Sequence, residues 1–431
     1  MNPLSRLIAL TAVLFASAIH CANADSFEIV TAHGSDIIGA QYFGAHFHRL
    51  VLMPGENAVK TEWPSFTLGS VRLWDSGVSW RDISKQPGEY QFRRFDTYID
   101  AAVAHRATVL YTLGSTPAWA SARPGERCPY GFGCGAEPVD QQAWLDYVRR
   151  VALRYGSRIT DYEMWNEPNF SDFPRDAHVM GFYTGSIAAL VELTRAARTI
   201  LDQVSPKAKL CTPGFVNGPD RLDRYLAAGG RRYVQAVCYH FYSGDSAHFA
   251  RQIQEVREIM KRHGLERLPL WNTETGVDTL KEGDPPSGIA AHTHEGAVAR
   301  LSQMLVLGAA AGIDRFYYYA WDNFRSGMVR ADGSHLPGYA ALQQLQSWML
   351  GSRLTGCSGH GDLVQCDGVR GAERFVIAWS DKSSAAPFDL PNGWSVSGVD
   401  RLATSELPIS DGPLLVGPTP MRIRLSRQPV N

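Results

Sequence analysis

Arg158-Ile159-Thr160-Asp161-Tyr162-Glu163-Met164-Trp165-Asn166-Glu167-Pro168-Asn169 decides how the rest of the chain is read. Arg158 to Met164 is a strand-like run, and Trp165 to Asn169 is the polar elbow where a barrel strand opens onto its loop. An Asn-Glu pair at such a place sets one carboxyl group beside a sugar and an amide beside the sugar's hydroxyl. A second carboxylate, Glu274 of Leu270-Trp271-Asn272-Thr273-Glu274-Thr275-Gly276, ends another such run about a hundred residues on. Two carboxylates from two strand ends are the minimum equipment for cleaving a glycosidic bond.

The same texture extends outward from this run. Short apolar runs at residues 39–45, 70–74, 108–113, 159–165, 209–213, 236–241, 268–273 and 315–320 alternate with amphipathic stretches. Helices are expected at 141–155, 182–204, 247–263 and 295–311. Eight strands separated by helices predict an α/β fold, a (β/α)8 TIM barrel over residues 25–350, with its active face at the downstream strand ends. An open doubly wound sheet is the competing architecture, but no glycine-rich nucleotide fingerprint follows the first run. After Trp348 the sequence turns to Gly, Pro, Ser and short alternating runs, such as 374–379 and 421–425. Residues 351–431 therefore predict a small C-terminal all-β, sandwich-like domain, which residues 25–35, through Phe27–Val30, are free to join.

Residues 1–24 read as a leader. Arg6 supplies the positive start, Leu7–Ile19 the apolar stretch and Ala22-Asn23-Ala24 a small-residue cleavage site. Export to the periplasm or the extracellular space is the expectation. An uncleaved anchor is the alternative, and no other segment is long and apolar enough to span a bilayer. A formal net charge of −1 argues against nucleic acid or an anionic membrane as partner. Beyond the leader, Cys128 with Cys134 and Cys357 with Cys366 have spacings that suit local disulfides in an oxidising compartment. Cys211 and Cys238 either pair, if their strands are neighbours, or remain buried thiols.

The downstream ends of the runs collect His46, His48, Arg72, Asp75, Trp119, Asn166, Glu167, His240, Tyr242, Glu274 and Trp321. Glu167 is the candidate general acid and base, which requires a raised pKa. Glu274 is the candidate nucleophile. Arg72 and Tyr242 are suited to holding it ionised through a charge and a hydrogen bond. His240 shares a side-chain direction with Tyr242, two residues on in a strand. Taken singly, His240 reads equally as a core histidine, and Trp119, Trp165 and Trp321 as core tryptophans rather than sugar platforms. Glu163 lies deep in its strand, and Asp322 at the eighth strand end is a candidate substrate contact. His292, His294 and Glu295 fall in a Gly/Pro-containing loop with loose metal spacing; neither a metal nor a cofactor is expected.

Together WNEPN at 165–169, H-F-Y at 240–242, T-E-T-G at 273–276 and a tryptophan ending the eighth run resemble the retaining glycoside hydrolases of clan A. Within it the chain is most similar to family 39, in particular its bacterial exopolysaccharide hydrolases. The resemblance implies Glu167 as acid/base, Glu274 as nucleophile and Asn166 near the 2-hydroxyl of the cleaved sugar. It places Arg72, His240 and Tyr242 around the nucleophile and His48 and Trp321 along the sugar subsite, and suggests a monomer. No residues specific for xylose or iduronate stand out. The expected activity is an exported, endo-acting retaining β-glycosidase that cuts a polysaccharide. The rivals are an exo-acting β-glycosidase and a polysaccharide-binding or assembly protein with a vestigial site.

Overall fold

The computed structural model describes residues 18–23, 26–30, 37–176, 179–279, 292–323, 326–382, 384–402 and 413–428. Eight strands form one parallel sheet: β1 (Phe43–Ala45), β2 (Ser70–Leu73), β3 (Thr108–Leu113), β4 (Asp161–Met164), β5 (Lys209–Cys211), β6 (Val237–Tyr239), β7 (Leu270–Thr275) and β8 (Arg315–Tyr318). Each pairs with its sequence neighbour, and β8 pairs with β1. Only β5 and β6 lack a full ladder. Two isolated bridges, Cys211 to Ala236 and Phe215 to Tyr239, and the Cys211–Cys238 disulfide join the two segments and close the barrel. The cysteine pairing left open by the sequence is thereby settled. Most strand residues are buried, as expected where helices cover a parallel sheet and side chains fill its interior.

The helices are α1 (Trp80–Ile83), α2 (Arg93–Ala104), α3 (Gln141–Tyr155), α4 (Ile187–Val204), α5 (Asp220–Ala227), α6 (Ser246–Arg262), α7 (His294–Ala310) and α8 (Pro337–Met349). Two expected boundaries move. Residues 182–186 are not helical: Tyr183 bridges to Pro168, and α4 starts only after Ser186, whose side chain accepts from Ala189 N–H. His294 and Glu295 lie in the first turn of α7 rather than in a loop. Thr293 caps that helix, and His294 Nε2 accepts from Gly338 N–H at 3.1 Å. Among the described residues no helix is long and apolar enough to cross a membrane.

The C-terminal segment is an antiparallel sheet of β9 (Arg353–His360), β10 (Leu363–Arg370), β11 (Glu373–Ser380), β12 (Trp394–Arg401) and β13 (Met421–Arg427). Ser26–Val30 pairs with β9, as expected for the early segment. The strand Ala18–Asn23 pairs with Ser26–Val30 at the sheet edge and lies within the expected leader. Alternation in β11 divides its side chains between two layers. Phe375, Ile377 and Trp379 join the barrel core, whereas Val376 and Ala378 pack under Ala386, Phe388 and Val416 of a short ribbon. Asp381 ties the sheet to the barrel by accepting from Ser246 Oγ at 2.6 Å and pairing with Arg300 at 3.1 Å. Disulfides Cys128–Cys134 and Cys357–Cys366 are both present.

Candidate active site

Arg72 points from β2 into the mouth of the barrel, fully buried. Its Nε donates to Glu163 Oε2 at 2.7 Å, one terminal nitrogen to Glu274 Oε2 at 2.8 Å and the other to Asn166 Oδ1 at 2.7 Å. One guanidinium thus fixes three side chains from β4, its elbow and β7. Glu163, expected to lie too deep for the cleft, is the structural counter-charge and also accepts from Thr112 Oγ1 at 2.7 Å. Replacing Arg72 with Met strands two buried carboxylates. Removing one partner of a buried ion pair typically costs about 3–5 kcal/mol. We predict a destabilisation of that order by denaturant titration; a loss under about 1 kcal/mol, no more than an exposed pair contributes, counts against the hub.

The elbow after β4 is strained and pinned. Trp165 and Glu167 adopt left-handed backbone conformations, φ 57° and 39°, each costing roughly 1–3 kcal/mol for a residue with a side chain. Backbone bonds hold the turn: Trp165 N–H to Leu113 O at 2.8 Å, Glu167 N–H to Gly214 O at 2.9 Å, and Gly214 N–H to Trp165 O at 3.3 Å. Gly214 is required here for closeness, since a Cβ would fall 2.4 Å from His240 Nε2 and 2.9 Å from Glu163 Oε1. The result aims Glu167 into the cleft and buries Trp165, whose indole N–H goes to Phe182 O at 2.7 Å. Trp165 is therefore packing, not a sugar platform.

Glu167 Oε1 and His240 Nδ1 are hydrogen-bonded at 2.9 Å, and Tyr242 OH donates to Glu274 Oε1 at 2.8 Å. Oxygens of Glu167 and Glu274 and a ring nitrogen of His240 all lie within 4.8 Å of one another. Burial lifts the Glu167 carboxyl to about 7, with Asp75 and Glu163 adding to the rise against the pull of Arg72. Burial also raises Glu274, while Arg72 and the Tyr242 hydroxyl act the other way. Burial lowers His240 to about 4, so the ring is neutral at pH 7. The arrangement provides an acid that is half-protonated near neutrality opposite a carboxylate gripped at both oxygens.

At the end of β8 the chain presents a residue that sequence reasoning passed over. Tyr319 is half-buried, its ring packs edge-on against His46 at 5.0 Å and His48 at 5.2 Å, and its hydroxyl donates to Asp75 Oδ2 at 2.7 Å. Tyr130, also missed, donates to Asp75 Oδ1 from the hairpin closed by Cys128–Cys134. His46 is tied to Thr273 O through Nε2 at 3.0 Å. Trp321 is only 2 % exposed, enclosed by Phe47, Phe66 and Tyr339. Trp119 packs on Trp80 and gives its indole N–H to Ser84 O at 3.2 Å, and no contact ties it to the carboxylates. Asp322 is buried and accepts the backbone N–H groups of His48 and Arg49 at 2.8 and 2.9 Å, which fixes the turn after β1.

The barrel is similar to that of a family 39 glycoside hydrolase from Bacteroides cellulosilyticus. The TM-score is 0.65 at 16 % identity, over 95 % of this chain and 88 % of that one. The fold is shared with family 39 glycoside hydrolases. A family 30 endoxylanase from Clostridium papyrosolvens also aligns, with a TM-score of 0.56 at 12 % identity over 91 % of this chain and 97 % of that one. In sequence the chain resembles a β-xylosidase from Geobacillus stearothermophilus, 25 % identical over 213 residues. That match spans 43 % of this chain and 40 % of the relative's length. No protein-family model matches the chain.

Proposed function

We propose that the protein is a retaining glycoside hydrolase that cuts β-linkages within a polysaccharide, a bacterial exopolysaccharide being the favoured substrate. The observation that carries this reading is the spacing of Glu167 and Glu274, with oxygens within 4.8 Å. Double displacement uses carboxyl groups about 5–5.5 Å apart, whereas direct displacement by water needs about 6.5–9.5 Å. Glu274 attacks the anomeric carbon while Glu167 protonates the departing glycosidic oxygen, giving a glycosyl ester on Glu274. Glu167, now ionised, takes a proton from water as that water displaces Glu274. Net configuration is kept. Asn166, fixed by Arg72, presents its amide to the sugar's 2-hydroxyl, and His240, His48 and Tyr319 border the reacting unit.

An endo mode would draw on the loop that follows Glu167, where Asn169, Phe170 and Met180 help to line a cavity of about 530 Å³. The leader expected at the N-terminus would bring such an enzyme to polymers outside the cytoplasm. The test incubates the protein and its Glu274→Gln variant with β-linked polysaccharides, including xylan because of the β-xylosidase relative. New reducing ends and product lengths are then measured. Mixed oligomers from the wild type alone support endo-hydrolysis. Monosaccharides alone convert the proposal to exo action, and a polymer bound but never cut by either protein points to a binding role.

A further inference from the structure

Beside the catalytic groups lies a second cavity, of about 200 Å³, walled by Trp74, Asp75, Gly77, Ser79, Arg81, Asp82 and Tyr130. Neither Glu167 nor Glu274 lines it. Asp75 is the shared partition: one oxygen accepts from Tyr130 at the cavity and the other from Tyr319 at the catalytic cleft. Asp75 is thus held by two hydroxyls from opposite sides. A carboxylate has about four lone-pair sites, so it keeps capacity to accept. Ser79 and Asp82 are spent on each other in the capping box that starts α1. Arg81 uses one terminal nitrogen on Tyr130 O and lies over the Tyr130 ring at 5.7 Å, leaving other donors available. Trp74, 3 % exposed, has an indole N–H with no partner among the described residues.

We infer that this cavity is a subsite for one neutral pyranose unit, next in line to the sugar whose bond is cleaved. The inference rests on the glycoside hydrolase reading and deepens it to a requirement for a longer chain. An acceptor at Asp75 and a donor at Arg81 on one wall match the vicinal hydroxyls of a sugar. The half-buried Tyr130 ring, backed by Trp74, offers an apolar wall for its C–H face. Two acids against one base make a uronate the wrong guest. The Cys128–Cys134 hairpin sets this wall by carrying Tyr130 to Asp75, so it acts as a specificity element rather than a staple alone.

The test measures binding in the Glu274→Gln background, by calorimetry, of methyl β-glycosides and β-linked trisaccharides of glucose, xylose, galactose and mannose. At least one trisaccharide should bind tenfold or more tightly than its monosaccharide glycoside. Arg81→Ala and Tyr130→Ala should each collapse that ratio toward one, with folding checked by thermal unfolding. A ratio unchanged by both substitutions overturns the subsite, as does the failure of every trisaccharide to outbind its monosaccharide. If a trisaccharide binds through Arg81 and Tyr130 but the wild type never hydrolyses it, the subsite stands and the hydrolase reading falls.

Discussion

Glu274→Gln should lower turnover on the order of 10⁴-fold or more while leaving the protein folded, since loss of a covalent nucleophile typically costs this much or more. The amide keeps the volume of the carboxylate and an oxygen for Tyr242 to donate to, but it has no charge with which to attack the anomeric carbon. Arg72 does not become an orphaned charge, because Glu163 stays bonded to it at 2.7 Å. The fold therefore survives a substitution at its most buried ion cluster, and this separates Glu274 from Glu163. Removing Glu163 takes a structural counter-charge away from Arg72, leaves Thr112 without its acceptor and should lower stability as well as rate. Initial rates with an activated aryl glycoside, together with a thermal melt of each variant, make the comparison. Rates near the wild type for Glu274→Gln would move the nucleophile elsewhere. A variant that has lost both activity and fold would make Glu274 an element of the architecture first.

Much of this site could be read in the chain because a parallel barrel writes itself plainly. Strands buried on both faces are short, mostly apolar runs, against which Arg72, Glu167 and Glu274 stand out at or near the downstream ends. The residues that escaped notice lack such a signature. Tyr317, Tyr318 and Tyr319 are identical neighbours, and nothing local says that the third turns to the cleft while the first two are buried. Trp321, placed along the sugar subsite by the resemblance, lies two residues beyond Tyr319, where the chain has already bent it into the Phe47, Phe66 and Tyr339 cluster. Tyr130 reaches Asp75 from 55 residues away, across a disulfide hairpin with almost no regular structure. Such approach is a property of the closed fold, not of any window of sequence. The sequence pattern overruns the start of α4 at Ile187 for a simpler reason. Phe182 and Tyr183 continue an apolar pattern, and the capping side chain of Ser186 is what stops it.

Glu167→Ala should show losses that depend on the leaving group, and the pH profile should explain why. A general acid contributes about 10²–10⁴-fold where the departing oxygen needs its proton. A sugar or alkyl leaving group should therefore lose that much in kcat/KM. A dinitrophenolate, stable as an anion, should lose little in the step that forms the glycosyl ester. The wild-type acid works only while protonated, and burial holds it to about 7. Activity on poor leaving groups should accordingly be full below that value and fall as pH rises through it. Glu274 sets the other limb: it must be ionised, and because burial raises its pKa, activity should fade on the acid side at a higher pH than an exposed glutamate would dictate. His240 contributes no positive charge across this window, since its own pKa is about 4. Its bond to Glu167 is thus one between a neutral ring and a carboxyl group, which leaves the acid's pKa high. In Glu167→Gln the basic limb should vanish for activated substrates while the acidic limb stays. Equal losses for all leaving groups, or a basic limb that persists without Glu167, would place the proton donor on another residue.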